Sequence, residues 1–481
     1  MRGLPASLIV TTALAVGLPA HAETLSGALA KAYRTNPTLT GARAQQRATD
    51  ENVAIQLAAA RPNAALNSTY SENLLIPPGQ FVNIGRTLSS VGQLNVPIYN
   101  GGAVKNGIRA ADERVRAGQE QLRATESSVF SQTVAAYNDV LRDQALLELN
   151  RANVRQLDVN LRATRDRFEV GDVTRTDVAQ SEARLSLARG DLRTAESNLI
   201  ASRERYVQLV GEAPVDLAPP PPLPNLPATP DEAEEVALRE NPDIAAAARS
   251  RQAARLDVRV AQAARLPTLS AFGQAVRNDN FGSAQAQIPI NIPVQQTSAG
   301  VGLQANLPIY QGGRPAAQVR QAQARQSQAF EQEIETERAV IQQVRAAFAS
   351  WRASQEVIRS AETAVAANTL SLEGVRAENS VGNRTIIEIL NAEQELLNAR
   401  VQLATARRNA YVAAFTLLAA MGQAEARDLN LDGVTLYDPT VNYRRVRGKI
   451  MDHGQDAEPQ PVATRTVDTV AANPDSLAGP R

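Results

Sequence analysis

The chain contains no cysteine and is poor in aromatic residues and histidine. Among 481 residues the aromatics make up 4%, and the two histidines are His21 and His453. Without cysteine there are no disulfides, thiolate metal sites or cysteine nucleophiles. Two distant histidines, the first in a stretch that we expect to be removed, cannot form a catalytic triad or a histidine-rich metal centre. We therefore expect a protein that is not an enzyme and has no cofactor.

The chain also lacks an excess of charge of either sign. It has 50 basic and 50 acidic residues, so it has no basic footprint for nucleic acid. Dinucleotide-binding, nucleophile-elbow and Walker motifs are absent. After residue 22 no run of eighteen apolar residues occurs, and we expect no transmembrane helix.

The first 22 residues have the pattern of a signal peptide. Arg2 precedes an apolar run over residues 8–18, and Ala20-His21-Ala22 matches a small-residue cleavage site. We predict cleavage after Ala22, with a short buried helix as the alternative. The next residue is Glu23 and not cysteine, so no acyl anchor is expected there.

The rest of the chain contains one long repeat. The sequence VPIYNGG at residues 96–102 returns as LPIYQGG at 307–313, and this offset of 211 residues also separates Gly171 from Gly382. A repeat of this length sets the architecture. We predict a first repeat over 23–211, a Pro-rich linker over 212–230, a second repeat over 231–422, a further segment over 423–447, and a disordered tail over 448–481.

Each repeat has a short interval with strand character. We expect one strand pair within residues 62–98 and another within 267–309, each pair flanking a polar loop with Gly and Pro. Apolar side chains alternate at Leu94, Val96 and Ile98. Segments of about ten alternating residues suit tilted transmembrane strands. A soluble hairpin fits this pattern equally well.

Long helices are the strongest secondary-structure signal. No proline occurs over residues 98–213 or 316–438, which predicts helical hairpins over 102–211 and 314–422. A helix over about 102–169 would extend roughly 100 Å, at about 1.5 Å per residue. Val178, Leu185 and Leu192 are seven residues apart, the spacing of a coiled-coil seam.

The two hairpins turn at matching glycines. Gly171 and Gly382 are predicted to end the first helix of each hairpin with positive φ. Asp172 and Asn383 follow them, and we predict that these residues cap the returning helices, because Asp and Asn are good N-cap residues.

The order of these motifs resembles the TolC family of outer-membrane efflux proteins. The resemblance covers about residues 24–447 and rests on the repeated Asn-Pro, Pro-Ile-Tyr-x-Gly-Gly and Val-Gly motifs, and on Tyr437-Asp438-Pro439. It implies a mainly α fold with membrane β-structure. The duplicated hairpins would form a trimeric α-helical barrel in the periplasm, and four strands per chain would join a shared 12-stranded β-barrel in outer-membrane lipid.

The resemblance implies a passive exit channel of a tripartite export system. Its expected partners are a periplasmic adaptor and an inner-membrane transporter, either a proton-driven pump or an ATP-binding cassette exporter. The cargo would be small toxic compounds or a protein of type I secretion, and the sequence does not separate these. The alternative from another class is a periplasmic or soluble antiparallel coiled-coil scaffold without a pore.

The resemblance also assigns roles to residues near the hairpin turns. The adaptor would dock at Val170, Gly171, Asp172, Val381, Gly382 and Asn383. In the periplasmic gate Asp177 would pair with Arg384, while Glu388 and Asn391 would ring the opening. The family's tyrosine latch falls on Asn379, which departs from the pattern. Tyr99 and Tyr310, at the junctions of strand and helix, are interpreted as membrane-interface anchors.

Overall fold

The computed structural model describes residues 22–75, 82–286, 291–431 and 433–471. The predicted signal peptide, apart from Ala22, lies outside these ranges, as does the end of the predicted tail. The described part is mainly helical with one four-stranded sheet, which confirms this part of the predicted fold class.

The two repeats contain the same elements in the same order. The first has α1 (Leu25–Thr35), α2 (Pro37–Ala58), β1 (Asn63–Glu72), β2 (Val82–Ile84), β3 (Arg86–Asn100), α3 (Ala103–Glu169) and α4 (Arg175–Val210). The second has α5 (Pro230–Glu240), α6 (Pro242–Ala263), β4 (Thr268–Asp279), β5 (Ala284–Ala286), β6 (Gln295–Asn306), α7 (Arg314–Ser380) and α8 (Ile386–Ala420). A last helix, α9 (Pro439–Arg447), follows them.

The helices α3 and α7 determine the shape of the chain. Each has 67 residues and is therefore roughly 100 Å long. At its far end each turns into an antiparallel partner, α4 or α8. At the near end α2, α3, α6 and α7 pack side by side in that order, which is also the order of the strands that they adjoin.

The four-stranded sheet is antiparallel, with the order β1-β3-β4-β6. Its register places Leu94 beside Gly273, and Gly273 beside Val301, on one largely apolar face. Residues between them, such as Gln93 and Gln274, form a polar opposite face, because successive side chains alternate. The sheet therefore has one face suited to lipid and one suited to water.

The strand ends differ from the expected ones. β3 continues past residue 98, because Asn100 still pairs with Thr268 of β4. β6 ends at Asn306 and does not reach residue 309. It is an edge strand whose one neighbour in the sheet is β4, and Asn306 pairs with Thr268, the first residue of β4. Sequence analysis also missed β2 and β5, which are three residues each and pair with one another across the two repeats.

The main core lies midway along the long helices. Here α1 and the segments 211–229, 423–431 and 433–437, together called the belt, pack against α3, α4 and α8 around Phe130, Tyr137 and Phe415. The buried Tyr137 hydroxyl donates to the carbonyls of Glu23 and Ala218, at 2.8 and 2.6 Å. These bonds join the start of the described chain and the Pro-rich linker to the same point on α3.

The described part of the predicted tail, residues 448–471, contains no helix or strand. Its first residues have defined partners, however. The Asp456 carboxylate bonds Arg445 at 2.7 Å and Lys449 at 2.8 Å. The Arg61 guanidinium donates to the Lys449 carbonyl at 2.7 Å, which ties this segment to the chain just before β1.

Candidate functional site

The described residues contain no group of three or more His, Asp or Glu side chains placed to hold a metal. Within the same residues, no helix combines the length and the apolar character needed to cross a bilayer. The sequence-predicted site residues cluster at two places, the hairpin tips and the junction of sheet and helices.

Both tips begin with the same helix-ending turn. Gly171 has φ +81°, and its N–H donates to the Phe168 carbonyl at 3.0 Å, while the Asp172 N–H donates to the Arg167 carbonyl at 2.9 Å. Gly382 has φ +83° and forms the same pattern with its neighbours. This is a Schellman motif, which favours glycine because side chains are strained at positive φ. The predicted backbone conformation of both glycines is confirmed.

The prediction that Asp172 and Asn383 cap the returning helices is wrong. The N-cap of α4 is Thr174, whose hydroxyl accepts from the Asp177 N–H at 3.3 Å while its own N–H donates to the Asp177 carboxylate at 2.9 Å. Thr385 is the N-cap of α8. Asp172 does not have this role, because its carboxylate accepts from Arg167 of the preceding helix at 2.7 Å and two residues separate it from Arg175, the first residue of α4.

At the second tip Arg384 lies between two carboxylates of its own hairpin. Its guanidinium donates to Glu378 at 2.6 Å and Glu388 at 2.5 Å, and both bonds raise its pKa above the usual value. The Thr385 N–H donates to Glu388 at 2.8 Å, and this bond, with the one from Arg384, lowers the pKa of Glu388 to about 2. Glu388 is therefore an ionised helix-capping residue with a cation beside it.

The expected pair of Asp177 and Arg384 is not formed within this chain. Among the described residues, the Asp177 carboxylate bonds Thr174, and Arg384 bonds the two glutamates of its own tip. Asn379, at the latch position, donates to the Arg384 carbonyl at 2.6 Å and so closes its own turn.

Polar contacts join the first hairpin to the second above the tips. The Arg184 guanidinium of α4 donates to the Asn391 side chain of α8 at 2.8 Å. Further along α8 the Glu393 carboxylate is buried, with 7% of the residue exposed. It accepts from Arg376 of α7 at 2.7 Å and from Asn160 of α3 at 2.8 Å. Glu393 thus connects three helices of the two hairpins.

Glu393 was not among the predicted site residues, because an acidic residue on a long polar helix usually faces solvent. The available signal was its position between Leu390 and Leu396, three residues from each, on the apolar seam of α8. In the structure Leu390 packs with Leu157 and Leu161 of α3. An acid on such a seam is a candidate for a buried pair.

The outermost side chains at the tips are apolar and exposed. Val170 is 80% and Val381 70% exposed. A Cβ atom added at Gly171 or Gly382 would meet no other atom of the described chain within 4 Å. The end of each hairpin is therefore an open surface with an apolar residue at its centre.

The predicted interface tyrosines lie at the other end of the helices. Tyr99 pairs with Leu269 on the apolar side of the sheet, immediately after a bulge in which Ile98 has no partner. Tyr310 follows the end of β6 and is largely exposed. Both rings are thus close to the place where strand gives way to helix.

Comparison with known proteins shows what this geometry resembles. The family model described as "Outer membrane efflux protein" matches residues 28–212 and 235–423, one match for each repeat. The chain is 34% identical to the outer membrane efflux protein BepC of Brucella suis biovar 1 (strain 1330) over 445 residues, 92% of this chain and 95% of BepC.

Two further proteins extend the comparison. The chain is 34% identical over 197 residues to the outer membrane protein TolC of Escherichia coli (strain K12), covering 40% of each chain. The crystal structure of the CmeC outer membrane channel of Campylobacter jejuni has the same fold, with a TM-score of 0.73 and 16% identity. That match covers 93% of this chain and 98% of CmeC.

Proposed function

The chain belongs to the outer membrane efflux protein family, and from this premise we propose that it acts as a homotrimeric duct, gated at its periplasmic tip. It is an outer-membrane exit channel with a periplasmic helical part, as the family resemblance implied. The proposal adds the trimer, a shared 12-stranded β-barrel, the gate and the docking of an adaptor.

The open sheet is the observation that carries the proposal. Within the described chain β1 and β6 are edge strands, each with one row of unpaired backbone groups. Lipid does not tolerate such edges, and transmembrane barrels need about eight or more strands. Four strands cannot close alone. Pairing β6 of one chain with β1 of the next would close the barrel at twelve strands from three chains.

The helices support the same assembly. α2, α3, α6 and α7 form a row that continues the row of strands, and α7 lies at its end. Much of α7 is exposed in the single chain, including the apolar Phe330, Val357 and Leu370. A neighbouring α2 packed against α7 would cover part of this surface and turn three rows into a hollow barrel.

The apolar face of the sheet would then face lipid, and its polar face would line the duct. Tyr99 and Tyr310 would lie at the edge of the bilayer, where amphipathic rings are favoured. This placement gives both residues the anchoring role that their sequence positions suggest.

We place the gate at the second tip. Because Asp177 and Arg384 are not joined within one chain, the pair would form between neighbouring chains. Arg384 would then exchange a bond to its own glutamates for one to Asp177. Glu388 and Asn391 would ring the opening, with one carboxylate per chain. Three such carboxylates around a narrow axis would attract cations.

The adaptor would dock on the exposed tips, centred on Val170 and Val381. The glycines beside them leave room for close approach by another backbone, while Asp172 and Asn383 supply polar rims. An inner-membrane transporter, a proton-driven pump or an ATP-binding cassette exporter, would supply the energy. The word efflux in the names of the family and of BepC favours small molecules as cargo over a secreted protein.

Fractionation and mass measurement test the assembly. The full chain, expressed in its host and extracted from the outer membrane with detergent, should have the mass of a trimer by native mass spectrometry. A soluble or monomeric protein would instead support the helical scaffold without a pore.

A further inference from the structure

A groove of about 550 Å³ lies in the first repeat, where strand β3 leads into the long helix α3. It is lined by the end of α2, the bulged end of β3, the first turns of α3 and the end of α9. Its charged lining residues, among those described, are Lys105, Arg109, Asp112 and Arg447. The groove is therefore basic, although the chain as a whole is neutral.

Two of the cations have no partner, while the one acid is engaged. No hydrogen bond or ion pair involves the exposed side chain of Lys105 or Arg109 within the described chain. The Asp112 carboxylate accepts from the Tyr443 hydroxyl at 2.6 Å and lies 4.0 Å from Arg447. Lys105 and Arg109 are thus free to bind an anion.

The groove opens on the outer side of the helical wall. Asp112 and Phe130 are eighteen residues apart on α3, which is about five turns, so they share one helix face. Phe130 packs against the belt on that face. If the belt packed on the face of α3 that lines the duct, it would fill the duct. The face of α3 that carries Asp112 and Phe130 is therefore the outer face of the helical wall. Lys105, seven residues before Asp112, also lies on it.

The depth of the groove matches a layer of lipid headgroups. Lys105 and Arg109 are five and nine residues beyond Asn100, which is the last residue of β3. At the rise of a helix, these residues lie roughly 7 and 13 Å from the end of the strand. The headgroup layer on each side of a bilayer is about 5–8 Å thick, and long basic side chains reach toward it. Ile98, which is more than half exposed in the bulge, adds an apolar surface on the membrane side.

We propose that this groove binds the phosphate of an anionic phospholipid in the leaflet that faces the periplasm. Lys105, Arg109 and Arg447 contact the phosphate, and the acyl chains run past Ile98 along the apolar face of the sheet. The site rests on the proposed placement of the sheet in the membrane. Its lipid selectivity can be tested without any measurement of transport.

The second repeat supplies a matched control. Arg320 is 211 residues after Arg109 and is equally exposed at the same helix position, without a partner in the described chain. The position that matches Lys105 is Ala316, and α9 packs on α2 of the first repeat. The second repeat therefore keeps the matching arginine but has no cation at the position of Lys105.

The test uses native mass spectrometry of the purified full-length protein in detergent. Phosphatidylglycerol or phosphatidylcholine is added, and bound lipid is counted for the wild type, Lys105→Gln, Arg109→Gln and Arg320→Gln. We expect the wild type to retain phosphatidylglycerol preferentially. Lys105→Gln and Arg109→Gln should each weaken that binding about fivefold, because each basic residue contributes comparably at an anionic surface. Arg320→Gln should bind as the wild type does.

Four results would overturn the proposal. The first three are equal retention of the two lipids, unchanged binding in Lys105→Gln and Arg109→Gln, and an equal loss in Arg320→Gln. Inorganic phosphate, added as a competitor, should displace little lipid. If micromolar phosphate displaced the bound phosphatidylglycerol, the groove would be a site for free phosphate, and the proposed lipid site would be refuted. A trimer that conducts but shows no lipid selectivity would leave the proposed duct intact and remove only this site.

Discussion

Replacing Glu393 with alanine should loosen the contact between the two hairpins just above the tips. The buried carboxylate bonds Arg376 at 2.7 Å and Asn160 at 2.8 Å, so the substitution removes links from α8 to both α7 and α3. If the closed tip requires the second hairpin to lie against the first, losing the link to α3 favours the open tip.

The size of the effect follows from the bond that crosses between the hairpins, which is the one from Asn160, because Arg376 belongs to the same hairpin as Glu393. A hydrogen bond to a charged group contributes about 1.5–3 kcal/mol. Asn160 is half-buried, so water screens part of this bond, and we take about 1–2 kcal/mol per chain. That corresponds to roughly a fivefold to thirtyfold shift toward the open tip for each chain.

The assay is single-channel conductance of the purified protein in a planar bilayer. Glu393→Ala should raise the open probability by about tenfold or more, and Glu393→Gln, which can still accept a hydrogen bond, should lie between it and the wild type. Glu395→Ala is the matched control, because Glu395 is exposed on the same helix two residues away. Equal conductance of Glu393→Ala and Glu395→Ala, with the trimer intact, would refute the reasoning.

Three further predictions concern the gate, the tips and the belt. Arg384→Ala should raise conductance, and Glu388→Ala should weaken cation selectivity and block by a trivalent cation added on the periplasmic side. Wild-type conductance and block in the two variants would remove both residues from the gate. Gly171→Trp and Gly382→Trp should leave the trimer intact but abolish export in a drug-susceptibility assay. The reason is that the indole ring would project into the surface on which the adaptor docks. Normal export by both variants would exclude docking at the tips. Glu126 of α3 accepts from the Ala426 N–H of the belt at 2.7 Å. Burial raises the pKa of Glu126 from 4.5 to about 7, so the folded chain holds a proton between these values that the unfolded chain has lost. The contribution of Glu126 to thermal stability should therefore fall as pH rises from 4.5 through 7, by about 1–3 kcal/mol, and the fall in stability over this range should be smaller in Glu126→Gln than in the wild type.

The helices could be predicted because their signals are local. Long stretches without proline and a glycine at each turn are visible in the sequence, and the repeat shows each signal twice. The predicted N-cap residues are wrong, and the reason is local as well. Asp172 has the right chemistry for a cap, but its carboxylate is bonded to Arg167 of the preceding helix, and that becomes evident only once the path of the turn is known.

Features that depend on distant partners could not be predicted. The end of β6 depends on which strand lies beside it, and the pairing of β2 with β5 joins the two repeats. The burial of Glu393 depends on Asn160, which is 233 residues away in the chain. The assignments at the gate came from family resemblance, and the roles of Asp177, Arg384, Glu388 and Asn391 stay predictions.

The stoichiometry of the conducting unit tests the central claim most directly. The protein extracted from the outer membrane is separated by size, each fraction is weighed by native mass spectrometry, and each is then added to a planar bilayer. The trimer fraction alone should form channels, because only three chains close the four-stranded sheets into a barrel. Channels formed by monomers, or a trimer that never conducts, would contradict the proposed duct.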